Sequence, residues 1–300
     1  MKQILLIINP ISGNKASIKI ESKVIDTFKS NNYEVDIIYS KYKGHIEKIL
    51  NSYDLSLYIF CCIMGGDGSI HEAVNGLLKR QDKNQIPLSI VPAGSGNSLA
   101  RDLNVLDISN ALERILNLDI KEIDIAKLYS DKQNIFSFNI IGWGMVANIG
   151  IKSEKFRWLG SSRYTILSIL ELIFKKAYKV NIELIDEKNN KKVINNKMLF
   201  AVLCNTIHTG KGMKIAPDAK LNDGLLNLYI IKNASRFKLL SLLPKLFDGK
   251  HVNDKLVESY KFSKIKINED YERKLLIDGE IKGNTPITVE VIHKGIKLIY

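Results

Sequence analysis

The chain has 300 residues, of which 45% are hydrophobic and 25% charged, as in globular proteins with sizeable cores. Lysine and arginine number 44 against 32 acidic residues, so the net charge of +12 favours an anionic partner such as a nucleotide or an acidic membrane surface. No apolar run approaches the roughly 18 residues of a membrane-spanning helix. No zinc-finger spacing, arginine-rich tail or aromatic RNA-binding pattern occurs, so we expect no nucleic-acid partner.

The first 120 residues alternate between predicted strands and predicted helices. Apolar runs predict strands at residues 4–8, 33–39, 57–64 and 86–91. Helical spacing follows the first and third of them, at Val24, Ile25 and Phe28 and at Ile70, Ala73, Val74 and Leu77. This alternation predicts a doubly wound parallel α/β domain, in which ligands bind at the carboxyl ends of the strands.

Three turns rich in glycine, serine and asparagine follow these strands, at residues 9–13, 65–69 and 92–97. In the second turn, three glycines surround Asp67, so backbone N–H groups can approach a ligand closely at the positive end of a new helix. The alternative is an ordinary strand-to-helix turn with a capping aspartate. Because all three turns and Ser40 are expected at one sheet edge, we favour a phosphate site, although no Walker-type pattern occurs.

Two further features of the chain invite a specific interpretation. Gly142-Trp-Gly-Met-Val-Ala147 fits a dinucleotide-binding pattern, but residues 148–157 lack the apolar stripe of the helix that such a fold requires. The three cysteines, Cys61, Cys62 and Cys204, lie in apolar runs without metal-type spacing. We therefore reject the dinucleotide site and predict reduced core cysteines in a cytoplasmic protein.

From Ile123 onward, short predicted strands separated by turns indicate an antiparallel, β-sandwich-like domain. The strands are predicted at 123–129, 135–141, 180–186, 198–204, 225–231, 262–267, 274–278, 287–292 and 296–300. We expect a linker near 118–123, which gives a nucleotide-binding domain over residues 1–121 and a β-rich substrate domain over residues 122–300.

Two helical insertions interrupt this second domain, at about 161–178 and 235–247. The first places Ile166, Ile169, Leu170, Ile173 and Phe174 on one face, and the second carries Leu239, Leu240, Leu242, Leu243 and Leu246. Each stripe either packs into the core or lines an acyl-chain pocket. Residues 152–179 also hold seven lysines and arginines against Glu154 and Glu171, a charge pattern suited to docking on anionic lipid.

Together these motifs resemble the diacylglycerol kinase catalytic superfamily, within it the sphingosine and ceramide kinase branch. The resemblance is carried by Asn9-Pro-x-Ser-Gly13, Gly65-Gly-Asp-Gly-Ser-Ile-His-Glu72, Pro92-Ala-Gly-Ser-Gly-Asn97, Ser153-Glu-Lys-Phe-Arg157 with Arg163, Ala216-Pro-Asp-Ala219 with Asp223-Gly224, and Asp278-Gly-Glu280. It implies an enzyme that uses ATP and Mg²⁺ to phosphorylate the hydroxyl of a membrane lipid in a cleft between two domains. It also implies a cytoplasmic protein with peripheral membrane association.

The resemblance also implies site residues. ATP would be held by Asn9, Pro10, Ser12, Gly13, Ser40, Gly65, Gly66, Gly68, Ser69, Glu72, Gly94, Ser95, Asn97, Arg157, Arg163, Asp278 and Gly279. Asp67 is the preferred base for the lipid hydroxyl or a holder of magnesium-bound water, and Glu280 is the rival base. A second metal position would fall at Asp223 with the carbonyl groups of Lys220 and Leu225.

Lipid contacts are expected at Asn148, Gly150, Ile169 and Ile173. Sphingosine kinases carry an acidic residue at the position matching Gly150, and commonly one at the position of Asn148, so both acids are missing here. A cationic amino alcohol would lack its counter-ion, which leaves ceramide or diacylglycerol as substrates. The alternatives are a soluble-substrate kinase of the NAD kinase type and a non-catalytic nucleotide- or lipid-binding module. The sequence does not predict the oligomeric state.

Overall fold

A computed structural model describes residues 2–129, 134–156, 162–269 and 271–300, without the side chains of Glu154 and residues 162–165. The contacts divide the chain into unit 1, Met1–Ile125 with His293–Tyr300, and unit 2, Ala126–Ile292. Residues 293–300, which the sequence places in the second domain, thus belong with the first.

Unit 1 is the predicted α/β domain. Its elements are β1 Lys2–Ile8, α1 Ala16–Ser30, β2 Tyr33–Tyr39, α2 His45–Ser52, β3 Tyr58–Gly65, α3 Asp67–Leu78, β4 Leu88–Pro92, α4 Ser98–Asp102 and α5 Ile108–Leu116. The strand order is β2-β1-β3-β4, and every pair is parallel. The doubly wound parallel sheet is therefore confirmed.

The interior of unit 1 explains its continuous apolar runs. All five residues of Ile4–Ile8 are fully buried, because a central strand of a parallel sheet is covered on both faces. Helix α3 is buried from Ser69 to Leu77, and α2 packs directly on it at Gly76. A Cβ atom at Gly76 would lie 2.7 Å from the Glu47 carbonyl oxygen, so only glycine allows this approach.

Unit 2 is the predicted antiparallel β domain with helical insertions. Its strands are β6 Ile135–Ser137, β7 Ile140–Gly144, β8 Tyr178–Ile185, β9 Lys191–Cys204, β10 His208–Thr209, β11 Met213–Lys214, β12 Leu226–Lys232, β13 Val257–Phe262, β14 Lys264–Asn268, β15 Lys274–Ile277 and β16 Glu280–Asn284. Two strands, β5 Ile120–Tyr129 and β17 Ile287–Ile299, contribute residues to both units. The main strand order is β16-β15-β7-β9-β8-β14-β17.

Strand β17 differs from its prediction. His293-Lys294-Gly295 reads as a turn between two strands, but the structure forms a single strand from Ile287 to Ile299. Its first part pairs antiparallel with β14, and its last part pairs parallel with β4 through Leu298 and Ile299. The strand remains continuous because its first part is paired with β14 and its last part with β4.

A helix also follows β7, although the sequence shows no apolar stripe there. Helix α6 spans Met145–Lys155, and its covered side includes Gly150 and Ser153 as well as apolar residues. Small residues bury a helix face without forming a stripe, which explains the missed helix. The rejection of a dinucleotide site stands, since β7 pairs antiparallel with both β9 and β15.

The two predicted insertions are present with altered bounds. The first is α7 Ser162–Ile173, and the second is divided into α8 Arg236–Leu240 and α9 Leu242–Asp248. Pro244 lies in the first turn of α9, where its missing N–H leaves no helical hydrogen bond unmade. Among the described residues, no helix combines the length and apolar character that crossing a membrane requires.

His251 is a buried side chain of unit 2 whose Nε2 atom lies 3.1 Å from the Ile215 carbonyl oxygen. Burial lowers the pKa of His251 below its usual 6.5. Protonation therefore favours the unfolded chain. The free energy of unfolding should fall as the pH drops below about 6.5, by at most about 1.4 kcal/mol per pH unit. His251→Gln should reduce this slope, measured by urea unfolding on both sides of pH 6.5. An unchanged slope would mean that folded His251 accepts the proton.

Candidate active site

The first loop of unit 1 runs from the end of β1 into α1 and is tied to the second loop by Asn9. The Asn9 side-chain amide donates to the Ser69 hydroxyl at 3.0 Å, and the Asn9 N–H donates to the Met64 carbonyl oxygen at 3.0 Å. Ser40 follows β2, and its N–H donates to the Ile8 carbonyl oxygen at 2.8 Å. The ends of β1, β2 and β3 are therefore joined through these residues.

Glycines allow the three loops to meet. A Cβ atom at Gly13, where φ is +54°, would lie 2.2 Å from the Ala93 carbonyl oxygen. A Cβ atom at Gly94 would lie 2.4 Å from the Gly66 Cα atom, so the second and third loops touch backbone to backbone. A side chain at any of these positions would separate the loops. The three predicted turns thus converge at one edge of the sheet.

Gly68 differs from these packing glycines. It lies in the first turn of α3, and a Cβ atom built there would meet nothing within 4 Å. Contacts within the described protein therefore do not require glycine at this position. A glycine at the start of a helix, next to open space, is suited to the close approach of a phosphate group.

Asp67 caps a neighbouring helix. Its carboxylate accepts from the Ser98 N–H at 2.8 Å and from the Ser98 hydroxyl at 3.1 Å, and the Leu99 N–H is 3.4 Å away. These groups belong to the first turn of α4, whose N–H groups have no partner within the helix. The carboxylate thereby holds the third loop against α3, and this contact also fixes its own orientation.

Glu72 caps the N-terminus of α2 in the way that Asp67 caps α4. Its two carboxylate oxygens accept from the Gly44 N–H at 2.7 Å and from the Ile46 N–H at 3.1 Å, and the side chain is buried. Glu72 therefore binds the protein backbone in this structure. Its predicted contact with ATP stays a prediction, and the geometry assigns it the positioning of the loop that contains Ser40.

In unit 2, Asp278 is a buried carboxylate in the turn between β15 and β16. One oxygen accepts from the Ser137 hydroxyl at 2.7 Å and from the N–H groups of Asn139 and Ile140 at 3.0 Å each. Its role in the described chain is to hold this hairpin. Gly279 has φ +89° with no atom near a built Cβ, and Glu280 pairs with the Lys282 ammonium at 3.0 Å.

The predicted lipid positions in unit 2 differ in their surroundings. The Asn148 side-chain amide donates to the Tyr178 hydroxyl at 3.2 Å. A Cβ atom at Gly150 would lie 2.8 Å from Leu276 and 3.0 Å from Ile281, so glycine lets α6 pack on the β15–β16 hairpin. An acid at position 150 would have to displace the Leu276 and Ile281 side chains. Packing therefore explains why no acid occupies this position.

On α7, the predicted apolar face is exposed. Ile166, Ile169, Leu170 and Ile173 all keep about two-fifths of their surface accessible, whereas Leu167, Glu171 and Leu172 are buried. Packing within unit 2 therefore does not account for the exposed stripe. Arg157 lies outside the described residues, as does the side chain of Arg163, so the predicted phosphate contacts of these arginines stay predictions.

Asp223, the predicted second metal position, lies beside a backbone N–H group and a lysine. One carboxylate oxygen accepts from the Leu225 N–H at 3.1 Å, and the Lys261 ammonium lies 3.7 Å from the other. Within the described part of the chain, no three His, Cys, Asp or Glu side chains form a metal-binding group. The predicted metal position, which combines Asp223 with the carbonyl groups of Lys220 and Leu225, stays a prediction.

Sequence reasoning missed two residues at these sites. Ser98 provides the N–H and hydroxyl that orient Asp67, and its only sequence signal is its place at the start of a helix. Glu171 lies on the buried side of α7 and was counted only as part of the local charge balance. Glu171 lies four residues after Leu167, a helical spacing that places both side chains on the same, buried side of α7. This spacing is the sequence signal for a buried acid.

Comparison with known proteins agrees with this architecture. A family model of the diacylglycerol kinase catalytic domain matches residues 3–128, and one of the YegS C-terminal NAD kinase β-sandwich-like domain matches residues 139–300. A solved structure of a diacylglycerol kinase from Bacillus anthracis superposes with a TM-score of 0.76 at 22% sequence identity, covering 100% of this chain and 97% of that one. This last likeness concerns the fold.

Two curated relatives extend the comparison. Sphingosine kinase 1 of Arabidopsis thaliana is 30% identical, covering 84% of this chain and 61% of the relative. Diacylglycerol kinase of Bacillus subtilis is 27% identical, covering 95% of this chain and 92% of the relative. The chain spans 61% of the length of each of the two Arabidopsis sphingosine kinases that it matches. With both family models matched in order along it, the chain belongs to the family that joins a diacylglycerol kinase catalytic domain to a YegS-type C-terminal domain.

Proposed function

We propose that the protein transfers the γ-phosphoryl group of ATP to the hydroxyl of a membrane lipid. The observation that carries this proposal is the meeting of three glycine-rich loops in unit 1, where Gly94 touches Gly66 and Asn9 bonds Ser69. Loops held together in this way lie beside the N-terminus of α3, where Gly68 adjoins open space. Phosphoryl transfer depends on such positioning and on charge neutralisation.

In this proposal the loop N–H groups bind the ATP phosphates, and Gly68 leaves room for them. Asp67 orients the lipid hydroxyl and accepts its proton, since its carboxylate is fixed by Ser98 beside the loops. Bound Mg²⁺ would neutralise part of the phosphate charge. If Asp67 is not the base, its carboxylate is suited to hold this ion through water. Arg157 and Arg163 would add bidentate contacts to phosphate.

Glu280 is the second candidate for the base. It lies at the start of β16, and its carboxylate lies 3.0 Å from the Lys282 ammonium. Ser98 fixes the Asp67 carboxylate beside the converging loops, whereas the Lys282 contact of Glu280 lies within its own strand. We therefore place Asp67 first, and the variants described in the Discussion separate the two.

We further propose that unit 2 docks on the membrane surface through its exposed apolar side chains. Phe174 is 76% exposed and Phe237 is 86% exposed. In the chain, Phe174 follows Ile173 and Phe237 follows Arg236. Ile173 and Arg236 are in contact, because the Arg236 guanidinium donates to the Ile173 carbonyl oxygen at 2.9 Å. The end of α7 and the start of α8 thus lie together, and we define the docking patch as Ile169, Phe174 and Phe237. Lys176 and Lys179 are exposed nearby in the chain to meet anionic headgroups.

Lys175 does not share this role. Its ammonium donates to the Asn233 side-chain oxygen at 2.5 Å and to the Ala234 carbonyl oxygen, so it fastens the loop before α8. We therefore omit Lys175 from tests of headgroup binding, because its loss would disturb the patch itself.

The direct test of the function is an assay with radiolabelled ATP and Mg²⁺. Diacylglycerol, ceramide and sphingosine are offered in mixed micelles, and NAD is offered in solution. We expect a labelled lipid phosphate and no labelled NADP. Labelled NADP would establish the soluble-substrate alternative, whereas ATP binding without any labelled acceptor would indicate a non-catalytic module.

If unit 2 docks on membranes, its binding to vesicles should depend on lipid charge and on its exposed apolar side chains. Binding to vesicles should increase with anionic lipid and decrease with salt, because a Debye length of about 8 Å screens the lysines at physiological ionic strength. Phe174→Ser with Phe237→Ser should lower binding to all vesicles, and Lys176→Glu with Lys179→Glu should lower binding to anionic vesicles alone. Sedimentation with vesicles measures both effects.

Matched changes in unit 1 serve as controls. Leu57→Ser removes an exposed apolar side chain, and Lys19→Glu with Lys29→Glu makes the same charge change on α1. These variants should bind nearly as the wild type does. If they lose as much binding as the unit 2 variants, the effect comes from net charge or general hydrophobicity, and the patch is not the docking surface.

A further inference from the structure

The outward face of the sheet at β9, β8 and β14 of unit 2 is polar and carries lysines. Alternate residues of β8 are buried in the core, so the residues between them, Lys179, Asn181 and Glu183, lie on the opposite face. The register places Lys197 and Asn195 of β9 directly opposite Lys179 and Asn181. Residues of two strands thus alternate in the same way and share this face.

Lys179 and Lys197 form a cross-strand pair of like charge. Directly opposite residues of antiparallel strands have Cβ atoms about 4.5–5.5 Å apart, and like charges at such positions destabilise the sheet. Both side chains are exposed, and neither ammonium forms an ion pair within the described part of the chain. An anion bound between the two ammonium groups would remove their repulsion.

The acids that neighbour this pair in the sheet are held by other lysines. Glu183 lies 3.6 Å from the ammonium of Lys191, and Glu290 of β17 pairs with Lys264 of β14. Lys266 is opposite Glu183 in the register, but it forms no ion pair with any residue that the structure describes. Positive charge on this face is therefore left for an anionic partner.

A row of asparagines crosses the same three strands. Asn195 of β9 is opposite Asn181 of β8, which in turn is opposite Asn268 of β14, and all three are exposed. Each side-chain amide carries two N–H donors, which together with ammonium groups suit phosphate oxygens. None of these asparagines and lysines is aromatic, so the face offers no platform on which nucleic-acid bases could stack.

We propose that this basic face, defined as Lys179, Lys197, Lys266 and the three asparagines of the row, binds the phosphate groups of anionic membrane lipids. The inference rests on the proposed docking of unit 2 and adds a second contact surface to it. Lys179 lies five residues after Phe174 of the docking patch, and five residues span at most about 18 Å. Apolar insertion and headgroup binding at this separation would together fix the orientation of unit 2 on a membrane.

Lys197→Gln tests the face without touching the proposed catalytic residues. Its affinity for vesicles of equal parts phosphatidylcholine and phosphatidylserine should fall about fivefold, which corresponds to about 1 kcal/mol per lysine near an anionic surface. Binding to pure phosphatidylcholine vesicles and turnover in nonionic detergent micelles should be unchanged. Lys197→Gln with Lys266→Gln should weaken binding to the anionic vesicles roughly 25-fold, because separated lysines contribute independently.

The same variant should also unfold at a higher temperature than the wild type at low salt. Replacing Lys197 removes the repulsion from Lys179, and added salt should shrink this gain because it screens the repulsion in the wild type. Stability and membrane affinity therefore move in opposite directions. A lysine that only stabilised the sheet would lower the unfolding temperature when replaced.

Lys192→Gln is the matched control, since it removes the same charge from the same strand. Lys192 is opposite buried Leu184 and its ammonium lies 4.4 Å from the centroid of the Tyr260 ring, so it lies on the other face of β9. This variant should bind anionic vesicles nearly as the wild type does. An equal loss in Lys192→Gln and Lys197→Gln would make the effect one of net charge and overturn the inference.

Unchanged affinity of Lys197→Gln for anionic vesicles would also overturn the inference, while docking through the patch would stand if the phenylalanine variants still lose binding. Tighter wild-type binding to a DNA duplex than to anionic vesicles at the same salt, lost in Lys197→Gln, would assign the face to nucleic acid instead. A wild type that binds no vesicle would overturn docking and this inference together. Failure to phosphorylate any lipid would overturn the kinase function alone, because vesicle binding is measured without turnover.

Discussion

Asp67→Asn should abolish phosphoryl transfer to lipid while ATP binding and the folded state survive. If Asp67 is the base, its loss removes general base catalysis, which contributes about 10²- to 10⁴-fold to the rate. Asparagine keeps an oxygen that can accept from the Ser98 N–H, so α4 should keep its cap. Turnover with lipid, calorimetric ATP affinity and thermal unfolding together measure the three quantities.

Two companion variants make this result interpretable. Asp67→Ala removes the cap as well, and should lower the free energy of unfolding by about 1 kcal/mol beyond the asparagine variant. Glu280→Gln removes the charge of the rival base and should reduce turnover much less. If Asp67→Asn turns over normally and Glu280→Gln is inactive, the base is Glu280, and Asp67 serves only to hold the third loop.

Gly94→Ala should disrupt the loop cluster, and Gly68→Ala should leave it intact. A Cβ atom at Gly94 would come within 2.4 Å of the Gly66 Cα atom and 2.7 Å of the Asn97 side-chain oxygen, so two backbones must separate. Overpacking of this kind costs about 1–3 kcal/mol. We expect lower stability and a loss of ATP affinity, because the second and third loops no longer meet.

Gly68→Ala is the matched control, since its Cβ atom enters open space within the first turn of α3. Alanine favours a helix over glycine by about 1 kcal/mol, so unfolding should become harder. ATP affinity should nevertheless fall, because the methyl group occupies space proposed for phosphate. Stability and affinity thus move in opposite directions. Unchanged affinity in Gly68→Ala would place the nucleotide elsewhere in unit 1.

Local pattern predicts much of unit 1, because its signals lie close together in the chain. The buried strands and the start of α3 follow from apolar runs and the adjacent glycines. The hydrogen-bond partners of Asp67 and Glu72, the two acids of α3, do not follow from these local signals. Asp67 reaches Ser98 and Glu72 reaches Gly44, partners 31 and 28 residues away that only the folded sheet brings near. The sequence allows Asp67 to be a capping residue of its own turn, but it does not predict the caps on α4 and α2.

In unit 2, the features that the sequence does not predict depend on how helices pack and which of their faces are covered. Helix α6 is covered through Gly150 and Ser153, which no measure of apolar periodicity detects. The break between α8 and α9 depends on how Leu239 and Leu242 both reach the core around a proline. The exposure of Ile173 could not be predicted either, because an apolar stripe looks the same whether it faces a core or a lipid bilayer.

The double role of β17 has a consequence for how the protein is made. Strand β4 gains its outer neighbour only when Leu298 and Ile299 pair with Leu88 and Ser89. On the ribosome, unit 1 would therefore wait with one sheet edge bare while the whole of unit 2 is synthesised. A bare, apolar strand edge readily pairs with other chains. Unit 1 produced as residues 1–125 alone should consequently aggregate. A permuted gene that places residues 293–300 ahead of β1, joined by a flexible crossover of about a dozen or more residues, should rescue it.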